Sequence, residues 1–146
     1  MKTWFNTKPK VKTFLDDYKQ KPSKGEPLIT PFGRKRRFGA ITGKNKWLVQ
    51  REAINFPVQS TASDLTLLSA IRLQPKLKGR AKIINLVHDS IVLEVPKKHL
   101  NEIAKLTQKV MSETPGMYLK DADIPFTADV EVGESWGKLK EYKFDN

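Results

Sequence analysis

His88-Asp89-Ser90 puts a single carboxylate between two apolar runs, residues 82–87 and 91–95, both rich in Ile, Val and Leu. Each run reads as a mostly buried strand, and the polar trio falls where a tight hairpin would turn. Asp89 would then be held rigidly at the hairpin tip. A fixed carboxylate suits Mg²⁺, which prefers oxygen donors, and strands hold such a ligand better than a loop does. Asp is also a common turn residue, because its side chain bonds to nearby backbone. The hairpin alone leaves both readings open.

Arg51, Asn55 and Gln59 form a second polar series, spaced four and four. On helical backbone they share a face, although Pro57 can interrupt that geometry. All three donate hydrogen bonds. Purine N3 and pyrimidine O2 occupy nearly the same minor-groove places in every base pair, so a row of such donors can check pairing without reading sequence. Solvated or capping side chains at the same spacing are the plain alternative. A third cluster, Arg34-Lys35-Arg36-Arg37, follows the turn signal Thr30-Pro31-Phe32-Gly33 and leads into Phe38. Four cations would be displayed on a short hairpin, where arginine can fork onto phosphate oxygens.

The elements that must carry these groups follow from periodicity. Val11, Phe14, Leu15 and Tyr18 fall at i, i+3, i+4 and i+7 behind Pro9, which predicts an amphipathic helix over 9–20. Residues 27–30 and 36–41 read as the short basic hairpin, with loops at 21–27 and 42–46. A long helix is expected from Pro57 to Leu73, with Val58, Ala62, Leu65, Leu68 and Ile71 on its apolar stripe and Gln74-Pro75 as its stop. After the Asp89 hairpin, residues 97–111 read as a helix with Leu100, Ile103, Leu106, Val110 and Met111 inward. Residues 124–132 read as a strand, and Trp136 is expected to close the core. Helices covering one face of a small antiparallel sheet make the fold class α+β.

The chain has 146 residues, 38% of them hydrophobic, enough for one domain or a piece of one. It has no Cys and only His88 and His99, which argues against disulfides and against thiolate or histidine-cluster zinc sites. His99 reads as a surface residue at a helix start. No apolar run approaches the ~20 residues that span a bilayer, and Met1-Lys2-Thr3-Trp4-Phe5 lacks a signal-peptide core. The sequence therefore reads as a soluble, cytoplasmic protein with no membrane partner. Its formal charge of +11 is uneven: residues 1–51 hold 14 Lys or Arg against three acids, whereas residues 52–146 balance 13 against 13. A basic lobe beside a neutral one suits a polyanion, with nucleic acid the natural partner. Lys8, Lys10, Lys12, Lys19, Lys21 and Lys24 are equally readable as a solubilising surface.

Three ordered motifs then carry a family resemblance. They are Arg51-Glu52-Ala53-Ile54-Asn55-Phe56-Pro57-Val58-Gln59-Ser60-Thr61-Ala62-Ser63-Asp64-Leu65, Val87-His88-Asp89-Ser90 with Glu94-Val95-Pro96, and Val130-Glu131-Val132-Gly133-Glu134-Ser135-Trp136. From about Trp4 to Trp136 the chain resembles the C-terminal part of family A DNA polymerases, relatives of bacterial DNA polymerase I. The resemblance implies a partial polymerase domain, with a palm-like small antiparallel sheet, packed helices and the adjoining part of the fingers. Residues 1–51 would be a basic helix and arginine-rich turn. Residues 52–146 would be the long helix, the motif C hairpin, a further helix and a C-terminal strand.

The same resemblance makes Asp89 the motif C ligand of Mg²⁺, two ions of which serve the complete enzyme, and places His88 near the primer terminus. Arg51, Asn55 and Gln59 match residues that touch the minor groove and template, with Arg34 to Arg37 as the DNA-binding turn. DNA primer-template and deoxynucleoside triphosphates are the implied partners. Ser90 stands where the family usually has Glu, so this motif supplies one carboxylate. The family's other metal-binding Asp, and the fingers helix that grips the triphosphate, belong to motifs upstream of any seen here. The expectation is a nucleotidyltransferase segment, inactive alone, that needs an upstream polymerase segment. A split or interrupted bacteriophage gene is the analogy for such a piece. A DNA-binding module that has lost chemistry is the alternative expectation.

Overall fold

The computed structural model describes residues 2–119 and 124–144. In chain order it forms α1 (Lys2–Thr7), α2 (Pro9–Gln20), β1 (Leu28–Ile29), β2 (Lys35–Arg36), α3 (Lys46–Leu77), β3 (Lys82–Val87), β4 (Ser90–Glu94), α4 (Leu100–Tyr118), β5 (Glu131–Val132) and β6 (Lys140–Glu141). Short 3₁₀ turns at Lys21–Lys24, Lys97–His99 and Trp136–Lys138 join them. The mixture of helices with small antiparallel sheets is the α+β class expected. Among the described residues, the strands pair as three separate two-stranded sheets, β1 with β2, β3 with β4 and β5 with β6. The chain divides into two compact units, Met1–Ala62 and Ser63–Asn146, and the division falls within α3.

In the first unit α2 has the bounds that its periodicity predicts. Its apolar face is not covered, however: none of its residues is buried, and Val11 and Phe14 are exposed. Gly25 closes the following 3₁₀ turn in the left-handed region, and Leu28 is fully buried. The basic hairpin is shorter than expected. Leu28 pairs with Arg36 and Ile29 with Lys35, and residues 37–41 are not strand.

Helix α3 is 32 residues long, starting well before Pro57 and running through both Pro57 and Pro75. An interior proline costs a helix about 3 kcal/mol by removing one hydrogen bond and crowding the preceding turn. Tertiary burial outweighs that here. Ala53, Pro57, Leu65, Ser69, Leu73 and Leu77 are buried along one four-residue ridge, and Ser69 donates to the Leu65 carbonyl. Of the expected stripe, Leu65 lies on this ridge; Val58, Ala62 and Ile71 are exposed, and Leu68 is half-buried. Pro75 does not stop the helix. Lys78 and Gly79 do, at φ 47° and 75°, a left-handed pair that turns the chain toward β3.

The second unit builds its core from Leu73, Leu77, Ala81, Ile103 and Val110, with Ile83, Ile91, Leu93, Val95 and Leu106 packed against it. One face of the β3–β4 hairpin therefore rests on α3 and α4. The opposite face is open, with Ile84 and Leu86 exposed, so the strands are half-covered rather than mostly buried. A two-stranded ribbon has too few neighbours to bury both faces. Helix α4 begins later than expected and runs longer, to Tyr118 through Pro115. Ile103 and Val110 are buried as expected, while Leu100, Leu106 and Met111 are half-buried.

Two expectations near the C-terminus fail. Of residues 124–132, only Glu131–Val132 are strand, and residues 120–123 lie outside the described residues. Trp136 does not close the core; it starts a 3₁₀ turn and is 58% exposed. The short β5–β6 pair offers no apolar layer for an indole to fill. Gly133 matters there: a Cβ would lie 2.8 Å from the Lys138 carbonyl carbon and 3.1 Å from Leu139 Cα.

Candidate functional site

Within the first unit, α3 is unbroken across Pro57, so Arg51, Asn55 and Gln59 project from successive turns of one face. All three are exposed. They line an open cleft of about 380 Å³ together with Arg36, Leu48, Glu52 and Phe56. Guanidinium and amide donors thus stand beside apolar carbon, and Arg36 arrives from the hairpin.

The hairpin's own turn sets that arrival. The buried Thr30 donates its N–H to the Arg34 carbonyl at 3.0 Å, accepts from the Gly33 N–H at 2.9 Å, and receives the Arg34 N–H on its hydroxyl at 3.2 Å. Gly33 sits at φ 78°, where a side chain would be strained. Arg34, Lys35, Arg36 and Arg37 are all exposed. Arg36 Nη2 lies 2.8 Å from Glu52 Oε2, and its guanidinium stands 5.3 Å from the Phe38 ring centroid. The hairpin is thereby tied to α3. Sequence spacing concealed Glu52, because 16 residues separate it from Arg36 and no local period links a strand to a helix face.

In the second unit, β3 and β4 are antiparallel, and Val87 pairs with Ser90 to leave the two-residue turn His88-Asp89. His88 is at φ 54°, a left-handed conformation that His tolerates better than a branched residue would. A register shift between Ile83 and Asn85 bends β3. His88, Asp89 and Ser90 are all exposed at the tip. Among the described residues Asp89 makes no ion pair, and no three His, Cys, Asp or Glu residues cluster closely enough to hold a metal. Asp89 and Ser90 could supply one carboxylate and one hydroxyl to Mg²⁺. They do not by themselves fit a site for two divalent ions about 4 Å apart, whose mutual repulsion needs several carboxylates to offset it.

The family model for DNA polymerase family A matches residues 1–138. The chain belongs to DNA polymerase family A. It is 32% identical over 142 residues to the thermostable DNA polymerase I of Thermus aquaticus, and 31% identical over 144 residues to DNA polymerase I of Streptococcus pneumoniae serotype 4. Each alignment covers 94% of this chain and 16% of the relative, so the chain spans about a sixth of the length of those proteins. DNA polymerase theta of Caenorhabditis elegans is 26% identical, over 96% of this chain and 9% of its own. In fold the chain is similar to the POL domain of Pol1 from M. smegmatis, solved in complex with DNA primer-template and dNTP. The TM-score is 0.69 with 24% identity, covering 78% of this chain and 21% of that one. Among the described residues no helix is long and apolar enough to cross a membrane.

Proposed function

We propose that this chain is the palm and adjoining fingers segment of a template-directed DNA polymerase, working with an upstream polymerase segment. The observation that carries the reading is the row Arg51, Asn55 and Gln59, kept in one cleft by a helix that runs unbroken through Pro57. Such donors reach purine N3 and pyrimidine O2 in any base pair, so they hold a correctly paired primer-template without selecting its sequence. Arg34, Lys35, Arg36 and Arg37 would lie along the sugar-phosphate backbone, consistent with the charge surplus of the first 51 residues. The structural neighbour's primer-template and dNTP support DNA and nucleotide partners for the whole enzyme.

Asp89 would be a ligand of Mg²⁺, and the exposed His88 beside it would stand near the primer terminus. Magnesium bound there, in a site of two ions completed by carboxylates of the upstream segment, would activate the primer hydroxyl and neutralise the leaving pyrophosphate. This chain's part is to hold one oxygen donor at a hairpin tip and to fix the duplex. Mixing the 146-residue chain with an upstream segment of a family A polymerase should restore template-directed incorporation of nucleotides. Incorporation absent at every mixing ratio, with DNA binding retained, would instead support a DNA-binding module without chemistry. Ser90 in place of the usual Glu is the observation that favours that second reading.

A further inference from the structure

We infer that Glu52 is an internal stand-in for phosphate, competing with the DNA backbone for Arg36 and so lowering the affinity of the cleft for polyanions. The inference rests on the proposed DNA contact of this cleft and assigns a residue that opposes it. Three observations converge on it. Arg36 Nη2 is 2.8 Å from Glu52 Oε2, the geometry a phosphate oxygen would adopt on the same guanidinium. Both side chains are half-exposed, at 50% and 55%, so an incoming oxyanion has access to the pair. Both also line the cleft that holds Arg51, Asn55 and Gln59, which puts a carboxylate inside a surface otherwise suited to nucleic acid.

A carboxylate there repels phosphate unless it is paired, and an arginine paired to it is withheld from phosphate. Binding DNA through Arg36 therefore requires an exchange, in which the guanidinium leaves Glu52 for the backbone and Glu52 returns to water. The Phe38 ring, 5.3 Å from the guanidinium centre, gives Arg36 a support that does not depend on Glu52. The exchange makes loose contact with any polyanion less favourable. Duplexes that also satisfy the neutral donors Asn55 and Gln59 regain the difference, so Glu52 sets specificity at the expense of affinity.

The test measures primer-template binding to the full chain across a salt series, with Glu26→Gln as a control that removes an exposed charge of the same lobe. Glu52→Gln should tighten binding about two- to fivefold, the range expected of one exposed ion pair, and by more than the control. Arg36→Gln should weaken binding and flatten the slope of log K against log salt by about 0.9, one phosphate contact. In the Arg36→Gln background, Glu52→Gln should add nothing beyond the control. Weaker binding by Glu52→Gln, an effect equal to the control, or a full gain persisting without Arg36 would each overturn the inference. If the unmodified chain shows no salt-dependent binding of primer-template, the DNA-contact reading fails and takes this inference with it; an intact slope with an inert Glu52 defeats the inference alone.

Discussion

Arg72 Nη1 donates to Thr114 Oγ1 at 2.5 Å, joining α3 to α4 inside the second unit. Thr114 is fully buried and passes its own hydroxyl proton to the Val110 carbonyl at 2.6 Å, so one oxygen serves both helices. Thr114→Val keeps the shape and removes the acceptor. Stability should fall by about 1–3 kcal/mol, because the partly buried guanidinium loses its shortest hydrogen bond and keeps the longer contacts to the Val110 carbonyl at 3.4 Å and to Glu113 at 3.9 Å. A urea titration would show a lower midpoint with an unchanged slope; an unmoved midpoint would mean that the bond contributes nothing.

The ridge along α3 separates residues only two apart. Leu73 is fully buried in the core, whereas Ile71 is 59% exposed. Leu73→Ala should cost about 2–5 kcal/mol and Ile71→Ala no more than about 0.5 kcal/mol. Equal losses in chemical denaturation would show that the four-residue ridge is not the packed face.

Much of this organisation was legible in the sequence, and its failures have physical causes. The hairpin about His88-Asp89 is legible because two runs rich in Ile, Val and Leu flank a polar trio, and α2 because the helical spacing of Val11, Phe14, Leu15 and Tyr18 follows Pro9. Sequence alone shortens α3 because Pro57 and Pro75 are local signals, while the burial of Ala53, Leu73 and Leu77 that overrides them is tertiary. The exposure of Trp136 is not legible in the sequence, because a large aromatic side chain near a strand resembles core by composition alone. The row Arg51, Asn55 and Gln59 was visible as spacing. Its companions Arg36 and Glu52 were not, since only folding brings a hairpin cation to a helix carboxylate.

His88 carries backbone strain at φ 54°. Glycine relieves such strain, and replacing an exposed His removes no buried contact, so His88→Gly should leave stability unchanged or raise it by up to about 1 kcal/mol. The same variant should lower incorporation in the reconstituted enzyme, if the imidazole stands near the primer terminus. A thermal melt together with a primer-extension assay would separate the two effects; a loss of stability would mean that the ring supports the turn.

Asp16 is held below the ordinary carboxylate range, first by the hydrogen bond from Lys12 Nζ at 2.6 Å and further by the charges of Lys12 and Lys19. A carboxyl whose folded pKa is depressed adds stability above its unfolded pKa, and that stability is lost as pH falls through the folded value. Acidification should therefore loosen α2 as pH falls from the ordinary carboxylate value through the depressed value of Asp16. NMR titration should find the Asp16 midpoint raised in Lys12→Met; an unchanged midpoint would refute the pairing in solution.

The most direct measurement is primer extension with Mg²⁺ by the chain mixed with an upstream segment of a family A polymerase, comparing Asp89 with Asp89→Ala. The exposed position of Asp89 at a hairpin tip means that the substitution should leave the fold intact, which circular dichroism can verify. On the proposed role of Asp89, loss of its carboxylate should then reduce incorporation on the order of 10³-fold or more, with primer-template binding nearly unchanged. Incorporation within about tenfold of the unmodified protein, on the same rate scale, would contradict the role assigned to Asp89.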